Sequence, residues 1–554
     1  MKKNTVIWIL KQIRPHIPAL ILLVLASGAN ALFGVLFALG SRAVIDGAVA
    51  GDSGLFLKAC LQQLGIIGGI LLTLTLSRHL RDKLHADLER HWKKRLLHGL
   101  LHGEYAAVSG FHSAELLNRL NNDVEKVNSG ILNILPNGIS MITRLLAAVV
   151  VLGALDGKFT LLMALLGGAV FLATTLMRRR LKNLNKAVRE HDGRVSGLLQ
   201  ETMEKLLMVQ AMDVSAEVER RADKLMADRY ETQRKRKNVS LLANTGISLM
   251  YYGAGFLALV WGAMRMLQGR MSFGSLTAMI QLVNQLQTPF VGLSGVLPQY
   301  LAMVASAERL MELEAIQGDP APMMETPEAV YGRMKAIRAE EISFSYDRDQ
   351  LLKEASFRLP KGAFAVVTGP SGIGKSTLLM LLLGIFSAEE GSLVLDCEEN
   401  ALRVDRSTRK LFAYVPQGNL LLSGSLRENL TIVKPEASEE ELAQAIYVSA
   451  MEDYLPALPK GLDTVLGESG AGLSEGQAQR LAIARGVLGG APIMLLDECT
   501  SALDAETERK VLLRLKSLPN RTCIAVTHRP AAMELSDWLL EVSRDGICLR
   551  EKTC

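Results

Sequence analysis

Long apolar runs dominate the first half of the chain, whereas short apolar runs alternate with polar segments in the second half. The run from Ile17 to Leu39 contains only small or weakly polar interruptions, and a helix needs about 20 such residues to cross a bilayer. The tripeptide at 29–31 resembles a signal-peptidase site, but the apolar run continues beyond it, which favours a membrane span. Five further runs are predicted to span the membrane: Leu55–Ser77, Pro136–Leu155, Phe159–Met177, Leu241–Met264 and Phe273–Ala302.

The connections between these runs differ in length and charge. Those that start at Arg78 and Arg178 are long and rich in Lys and Arg, whereas residues 156–158 and 265–270 form short connections with few cations. Basic residues concentrate in cytoplasmic connections. The long connections and both termini are therefore predicted to be cytoplasmic.

Apolar residues at helical spacing continue into both long connections, which contain few helix breakers. This pattern predicts spanning helices that extend into the cytoplasm as pairs, each pair turned by a short transverse segment. The transverse segments are predicted at Ser113–Leu120 and Leu198–Leu207. Solvated hairpins that contact no partner are the alternative for both connections.

A few polar side chains fall at membrane depth. Arg144 lies in the third run, and Gln281, Asn284, Gln285 and Thr288 share one helical face in the last run. Such groups face either a wet cavity or a neighbouring helix, so a substrate pathway and interhelical hydrogen bonding both stay open. Because an arginine can also extend toward the interface, Arg144 alone does not establish an anionic substrate.

Composition agrees with a membrane protein. The 554 residues are 49% hydrophobic with a net charge of +5, and the mean hydropathy is +0.20. The basic residues gather beside apolar runs, which is typical of anchoring at a membrane surface and argues against a nucleic-acid partner. The six cysteines have no metal-ligand spacing and are expected to be free thiols in a reducing compartment.

Proline and glycine interrupt the chain between Gln317 and Met334, where helical periodicity ends. Beyond this segment, short apolar strands alternate with helical patterns, which predicts an α/β layer with a mostly parallel sheet. The chain is thus predicted to be multidomain. An all-α membrane domain is predicted for residues 1–316, a linker for residues 317–334, and an α/β domain for residues 335–554.

A glycine-rich loop lies between the predicted strand at residues 364–368 and a predicted helix. Its pattern, G-x-x-x-x-G-K-[ST], is that of a phosphate-binding loop, in which glycines turn backbone N–H groups toward an anion at the N-terminus of a helix. A lysine there contacts the β- and γ-phosphates, and a hydroxyl reaches Mg²⁺. The loop consists of Gly369, Pro370, Ser371, Gly372, Ile373, Gly374, Lys375, Ser376 and Thr377.

Two further patterns belong to the same chemistry. The uniformly apolar run at residues 493–496 predicts a strand buried on both faces, and it ends at Asp497 and Glu498, which are placed to hold Mg²⁺ and to polarise a water. Ser474 and Gln477 have the spacing of a capping box, which predicts a helix N-terminus that can bind an anion. The chain therefore carries two predicted anion-binding helix ends, about 100 residues apart in the sequence.

Together these motifs resemble those of ATP-binding cassette (ABC) transporters of the exporter type, with a membrane domain ahead of the ATPase domain. Residues 369–377 resemble the Walker A motif, residues 473–477 the signature motif, and residues 493–498 the Walker B motif with the catalytic glutamate. Glu475 stands where glycine is commonest in the signature. The remaining matches in the second half are Gln417 of the Q-loop, Asp504 of the D-loop, the switch histidine His528, the adenine-stacking Tyr346 and the acidic Glu468.

The membrane half is similar to the family in fewer places. Residues 111–123, with Glu115 and Arg119, resemble the stretch that holds the first coupling helix. Glu201 and the segment Ala305–Arg309 also fit the family. The resemblance thus covers nearly the whole chain.

The resemblance implies two copies of the ATPase domain that meet head to tail around ATP and Mg²⁺. It implies that Lys375, Glu498 and His528 are catalytic and that Ser376, Gln417 and Asp497 hold the metal. Nucleotide contacts are implied for Tyr346, for the phosphate-binding loop, and for Gln417, Ser474, Gly476, Gln477 and Asp504.

The function expected from this resemblance is ATP-driven export by a half-transporter in the plasma membrane. All the catalytic positions are present, which favours a homodimer, although a heterodimer with a degenerate partner stays open. Small molecules, lipids and peptides are all possible substrates. An ATP-gated channel or regulator, and an importer on the same fold, are the alternatives.

Overall fold

The computed structural model describes residues 2–316, 318, 325–346, 349–418, 421–467, 472–543 and 546–552. Within these ranges, the side chains of residues 2–3, 169–179, 247, 287–294, 297, 346, 349 and 350 are not described. The chain divides into two compact units. The first consists of Met1–His98 and Ser113–Ala315, and the second of Gly99–His112 and Ile316–Cys554.

Helices account for almost all of the chain up to residue 314. A π-helical turn at Arg119–Asp123 joins two of them without a break in the helical rod. The helices are α1 Lys2–Gln12, α2 Ile17–Val49, α3 Ser53–His102, α4 Tyr105–Ser109, α5 Ser113–Asn118, α6 Val124–Leu155, α7 Gly157–Glu204, α8 Leu206–Ala211, α9 Ser215–Leu267 and α10 Phe273–Glu314.

Each predicted membrane span lies within one long helix. Among the described residues, α2, α3, α9 and the continuous rod from α5 to α6 are long and apolar enough to cross a bilayer. The other two predicted spans fall in α7 and α10, where several side chains are not described. The predicted all-α membrane domain is confirmed.

Apolar residues from α2, α6, α7, α9 and α10 form a buried core cluster in the first unit. Asp156 ends α6 and caps α7 by accepting a hydrogen bond from the backbone N–H of Phe159 at 3.0 Å, which starts the new helix. The buried apolar residues of this core are Val35, Ala38, Ala148, Leu152, Phe159, Ala258, Met279, Leu282, Val283 and Leu286.

A buried ion pair joins the π-helical turn to α10. Asp123, which is 2% exposed, accepts hydrogen bonds from the Nε of Arg309 at 2.7 Å and from the Oγ of Ser306 at 2.9 Å. One turn earlier, Arg119 donates to the carbonyl of Arg309 at 2.8 Å and to the carboxylate of Glu115. The segments that resemble the family in this half therefore contact each other.

The transverse segments were predicted at the wrong residues. Ser113–Leu120 is the beginning of the long rod that continues into α6, and the separate short helix before it is α4, which belongs to the second unit. Similarly, α7 continues to Glu204 and the short helix that follows is α8. The glycines at 103 and 110 bracket α4 and break the helix on either side of it.

The second unit alternates strands with short helices. Its helices are α11 Pro327–Arg333, α12 Lys375–Leu382, α13 Leu426–Thr431, α14 Glu439–Val448, α15 Glu475–Leu488, α16 Ala505–Lys516 and α17 Pro530–Leu535. Its strands are β1 Met334–Tyr346, β2 Asp349–Pro360, β3 Phe364–Thr368, β4 Glu390–Cys397, β5 Ala401–Arg403, β6 Phe412–Val415, β7 Gly424–Ser425, β8 Val465–Leu466, β9 Ile493–Asp497, β10 Thr522–Val526, β11 Trp538–Ser543 and β12 Gly546–Glu551. The predicted boundaries at residues 316 and 334 stay a prediction.

A mostly parallel sheet organises this unit, in the order β12-β11-β3-β10-β9-β6. Successive side chains of a strand point to opposite faces. In β9, Met494 and Leu496 enter one apolar core while Ile493 and Leu495 enter the other. The strand is thus buried on both faces, as its sequence predicts, and the α/β architecture is confirmed.

Candidate nucleotide-binding site

The phosphate-binding loop follows β3 in the middle of the parallel sheet. Gly369, Gly372 and Gly374 adopt φ angles of +148°, +79° and +101°, which L side chains rarely adopt. A Cβ at Gly369 would lie 2.3 Å from the carbonyl oxygen of Val542. Glycine is therefore required at this turn, both for its backbone conformation and for the space available.

Lys375 begins α12 and folds back over the loop. Its side chain is only 7% exposed, and its Nζ donates hydrogen bonds to the carbonyls of Gly369 at 2.8 Å and Pro370 at 2.9 Å. The ammonium is thus held at the loop beside the positive end of a helix dipole. A buried cation at that point can contact the phosphates of a nucleotide.

Asp497 lies at the carboxyl end of β9, beside the start of α12. Its Oδ1 accepts a hydrogen bond from Ser376 Oγ at 3.1 Å, and its Oδ2 accepts one from the Tyr414 hydroxyl at 3.2 Å. Burial raises the pKa of the Asp497 carboxyl above its ordinary value, the Glu498 carboxylate raises it further, and the two hydrogen bonds oppose that rise. A bound cation stabilises the ionised carboxylate in such a place.

Glu498 and Gln417 meet at the same edge of the sheet. The Nε2 of Gln417 donates to Glu498 Oε2 at 2.6 Å, because β6 and β9 are parallel neighbours. Glu498 has a φ of +45°, and its N–H donates to the carbonyl of Val526 at 2.9 Å. The strained backbone redirects this side chain after the strand ends, which is common at functional sites.

His528 follows β10, the strand between β3 and β9. Val526, two residues earlier, pairs with Asp497 in the sheet. The His528 side chain is exposed. The three carboxyl ends of β3, β9 and β10 therefore bring the phosphate-binding loop, the acidic pair and His528 to one edge of the sheet.

The predicted capping box forms at the start of α15. The N–H of Gln477 donates to Ser474 Oγ at 3.3 Å, and the N–H of Ser474 donates to Gln477 Oε1 at 2.9 Å. The remaining N–H groups of this first turn have no partner within an α-helix. A Cβ at Gly476 would lie 2.9 Å from the carbonyl oxygen of Ala502, so glycine allows the close approach of the turn that follows β9.

Gln479 joins α15 to the segment between β9 and α16. It is 3% exposed, its Nε2 donates to Ser501 Oγ at 2.9 Å, and its Oε1 accepts from the N–H of Ala502 at 3.0 Å. Asp504 caps α16 by accepting from the N–H of Thr507 at 2.9 Å. That backbone hydrogen bond lowers the pKa of the Asp504 carboxyl.

The predicted residues fall into two groups. One group, at the edge of the parallel sheet, contains the phosphate-binding loop, Gln417, Asp497, Glu498 and His528. The other, around the start of α15, contains Ser474, Gly476 and Gln477. Asp504 caps α16 and ends the segment that Gln479 joins to α15. Among the hydrogen bonds between described residues, none joins Ser474 to the phosphate-binding loop. The Tyr346 side chain and Glu468 lie outside the described parts of the chain.

The first group fits a nucleotide with Mg²⁺. The glycine conformations leave room for phosphates at the start of α12. The hydroxyl of Ser376 and the carboxylate of Asp497 lie 3.1 Å apart, and such oxygen ligands suit Mg²⁺, which keeps several waters. These two residues would hold the ion. Gln417 lies close to them, because it donates a hydrogen bond to Glu498, the residue after Asp497.

Family models match both halves of the chain. The ABC transporter transmembrane region matches residues 17–290, and the ABC transporter model matches residues 352–501. The two matches lie in the order of the two units described above. The chain belongs to the ABC transporter family.

Two curated ABC proteins illustrate the similarity. The ABC multidrug transporter mdr2 of Aspergillus fumigatus is 28% identical over 446 residues, which is 78% of this chain and 55% of that protein. The uncharacterized ABC transporter ATP-binding protein YwjA of Bacillus subtilis is 34% identical over 320 residues, or 56% of this chain and 55% of that protein. The chain thus matches about half the length of these two relatives.

A solved structure of an ABC transporter shares the fold. A bacterial Atm1-family ABC exporter with ATP bound superimposes with a TM-score of 0.76, and the comparison covers 97% of this chain and 94% of the exporter. Sequence identity is 23%. This likeness shows the fold of an exporter-type ABC transporter for the whole chain.

Two residues that hold this ABC site together escaped the sequence analysis. Tyr414, which precedes Gln417 by three residues, contacts Asp497, and Gln479 fixes the position of the turn at Ser501. Tyr414 is an aromatic residue at the end of an apolar strand, and Gln479 is an amide inside a helix. Both kinds of residue occur in many structural roles that have no connection with a binding site. In the sequence, only their distance from the motifs could have pointed to these two residues. That distance says little until the order of the strands in the sheet is known.

In the membrane half of this ABC transporter, one predicted polar residue has an interhelical role. The Nε2 of Gln285 donates to the backbone carbonyl of Gly34 in α2 at 2.6 Å. Asn284 is exposed and Gln281 half-buried, whereas the Thr288 side chain lies outside the described residues. Of the two predicted alternatives, this contact favours interhelical hydrogen bonding for Gln285.

Proposed function

We propose that this chain is a half-transporter that forms a dimer and uses ATP hydrolysis to export a substrate across the plasma membrane. One observation carries the proposal. Two intact anion-binding helix ends, at Lys375 and at Ser474, occur on one ATPase unit, and the contacts between described residues do not join them. A second copy that approaches head to tail would bring the Ser474 turn of one chain to the phosphate-binding loop of the other.

In this proposal, the residues of the strand edge divide the work of phosphoryl transfer. Lys375 and the N–H groups of the loop stabilise negative charge on the γ-phosphoryl group. Glu498 orients the attacking water and accepts its proton, while Gln417 keeps that carboxylate in position at 2.6 Å. His528 contributes a further polar group from the neighbouring strand end.

The second unit also contains a segment through which domain motion can reach the membrane helices. The aromatic ring of Tyr105 in α4 lies 5.9 Å from that of Phe386, in an edge-on arrangement. Arg406 donates to the carbonyl of His102, the last residue of α3, at 3.0 Å. We propose that α4 acts as the coupling segment, because it contacts the ATPase fold and directly follows the long helix α3 in the chain.

The orientation within the proposal follows from charge. The long helical connections carry the basic clusters, so they and the ATPase unit are placed in the cytoplasm. Export is then the movement of substrate from the cytoplasmic side outward. An importer or an ATP-gated channel would use the same orientation, but would differ in the direction or the energy dependence of flux.

Reconstitution in inverted membrane vesicles tests the proposal. Fluorescent amphiphiles with anionic, neutral or cationic head groups are added outside, and their accumulation and phosphate release are measured with and without ATP. We expect ATP-dependent accumulation, and we expect Glu498→Gln to abolish it and to trap a dimer with bound ATP. Glu506→Gln, on the exposed first turn of α16, is the matched control and should behave like the native protein.

Three results would contradict the proposal in different ways. Undiminished phosphate release from Glu498→Gln would remove this residue from its role. Flux that only follows the gradient would indicate a channel, and ATP-driven loss of probe from vesicles loaded beforehand would indicate an importer.

A further inference from the structure

The charges of the six predicted spans are unbalanced. These spans contain no Asp or Glu and only two basic residues, Lys58 and Arg144. Lys58 lies three residues from the start of its span, whereas Arg144 lies eight residues inside the third span, about 12 Å along a helix. A second copy of the same sequence brings no carboxylate to the spans either. The counter-charge of Arg144 must therefore come from outside the spanning segments.

Arg144 lies on the side of α6 that faces away from its exposed apolar residues. Ile142, Leu146 and Val150 are 56%, 60% and 69% exposed, and they share one face of the helix. A stripe of half-buried polar residues occupies the opposite face at the spacing i, i+4, i+7 and i+11. This polar stripe consists of Asn133, Asn137, Ser140 and Arg144.

The polar stripe continues onto α3. The Nη1 of Arg81 donates to Asn133 Oδ1 at 3.3 Å, which brings a second guanidinium to the end of the stripe nearer the cytoplasm in the proposed orientation. Ser77, one turn deeper on α3, has a buried Oγ with no hydrogen-bond partner among the described residues. Side chains of a helix lean toward its N-terminus, and Ser140 and Asn137 lie on that side of Arg144.

The Nε of Arg144 is itself buried and has no hydrogen-bond acceptor within the described part of the chain. An arginine at the end of a membrane helix can have an acceptor for the same atom. Arg265, for example, donates from Nε to Asp156 Oδ2 at 2.8 Å. A buried guanidinium donor without an acceptor is costly, and an anionic ligand would supply both the acceptor and the missing charge.

We propose that the polar stripe on α6, together with Arg81, binds the anionic head group of an amphipathic substrate, either a phosphate or a carboxylate. The inference rests on the transport function proposed above and names the substrate class. Two guanidinium groups match the oxygens of such a head group, and the amide and hydroxyl groups between them add neutral hydrogen bonds. The surrounding apolar helices accommodate an alkyl body. A cationic substrate finds no carboxylate in the predicted spans.

Equilibrium binding of dodecyl phosphate tests this assignment without ATP, so the result does not depend on whether the protein pumps. The protein is held in phosphatidylcholine nanodiscs, and binding is followed by intrinsic fluorescence, with dodecyl maltoside as the neutral probe. Loss of a charge-assisted contact predicts that Arg144→Gln weakens dodecyl phosphate binding about tenfold or more. Arg144→Lys should keep most of the affinity, and neutral-probe binding should be unaffected in both variants.

Lys58→Gln is the matched control, because Lys58 is the other cation of the predicted spans and is exposed. It should bind dodecyl phosphate like the native protein. The unfolding midpoint of each variant identifies misfolded protein, and Arg81→Gln supplies an independent variant with a smaller expected loss. Equal dodecyl phosphate affinity in native protein, Arg144→Gln and Arg81→Gln would overturn the proposal.

The head group could belong to a dissolved amphiphile or to a membrane lipid, and a second arm separates these sources. Phosphatidylglycerol is added to the nanodiscs while dodecyl phosphate is titrated. Competition that disappears in Arg144→Gln assigns the site to an anionic lipid, whereas unchanged affinity assigns it to the dissolved amphiphile. Tighter binding of dodecyl maltoside than of dodecyl phosphate by the native protein would contradict an anion site of either kind.

Discussion

The strand edge of the ATPase unit and the polar stripe of the membrane unit satisfy their charged groups in different ways. At the strand edge, Lys375, Asp497 and Glu498 each have a hydrogen-bond partner from elsewhere in the unit. In the membrane unit, Arg144 has a buried Nε without an acceptor among the described residues. The first arrangement fixes groups in position before a ligand binds, which suits chemistry on one nucleotide. The second leaves recognition to a ligand that supplies the missing charge.

Charged groups at the ends of several membrane helices have hydrogen-bond partners. Asp46, near the end of α2, accepts from the N–H of Gly274 and from Ser272 Oγ, both at 3.0 Å. These contacts cap α10. Asp46 thus has partners at a helix end, whereas the buried Nε of Arg144 has no acceptor among the described residues.

The largest effect is expected in the phosphate-binding loop. In Gly369→Ala, the new Cβ would lie 2.3 Å from a backbone carbonyl at a φ of +148°, so we expect a loss of more than about 3 kcal/mol in the free energy of unfolding and no ATP binding. Gly372→Ala is the control, since its φ is +79° with no atom within 4 Å and its cost should be about 1 kcal/mol. Calorimetric unfolding compares the two, and equal costs would contradict the close packing at Gly369.

A smaller effect is expected at the buried ion pair of the membrane unit. Asp123→Asn removes the charge that faces Arg309, and the cost should be about 2 kcal/mol, because Arg309 is partly exposed and can be solvated. The double variant Asp123→Asn with Arg309→Gln should recover part of this loss. Unfolding midpoints in nanodiscs measure both, and strict additivity of the two single costs would show that the pair is not coupled.

Removal of a single hydrogen bond at the proposed Mg²⁺ site should cost less. Tyr414→Phe deletes the donor to Asp497 and keeps the ring, so we expect a loss of about 1 kcal/mol in the free energy of unfolding. We also expect that a few-fold higher Mg²⁺ concentration is needed to support ATP binding. Tyr447→Phe is the control on the exposed side of α14. An Mg²⁺ titration that does not distinguish Tyr414→Phe from native protein would remove Tyr414 from the metal site.

The smallest effect is expected for the interhelical hydrogen bond at membrane depth. Gln285→Leu deletes the donor to the Gly34 carbonyl, and comparable bonds in membranes contribute about 0.6 kcal/mol. We expect a small decrease in the unfolding midpoint and unchanged dodecyl phosphate binding. A large loss of that binding would move the substrate site toward α10.

The sequence predicted the ATP site better than the coupling segment, for physical reasons. Gly369–Thr377 and the Ser474–Gln477 box are local patterns, and short-range backbone geometry decides their structure. The short helix α4 depends on packing of Tyr105 against Phe386, which are 281 positions apart in the sequence. Its flanking glycines gave a signal, but the polar stretch at residues 113–120 has a stronger helical pattern and proved to be part of the long rod.

The membrane unit was predictable in outline for a similar reason. Apolar length alone locates the helices, whereas the roles of Arg144 and Gln285 depend on which helix each side chain faces. Gln285 contacts α2, and Arg144 shares its face with Asn137 and Ser140. The periodicity of a single helix cannot tell a polar residue that bonds to a neighbouring helix, such as Gln285, from one that has no such bond among the described residues, such as Arg144.

Complementation between two inactive variants tests most directly that the ATP site is shared by two copies. Lys375→Ala removes the phosphate contact, and Ser474→Arg fills the opposing helix end, so each variant alone should lose most of its ATP hydrolysis. Mixed and reassembled, half of the dimers would carry one intact site, and the rate should return to about a quarter of the native value. A mixture that stays as inactive as its two parents would contradict a site built from two chains.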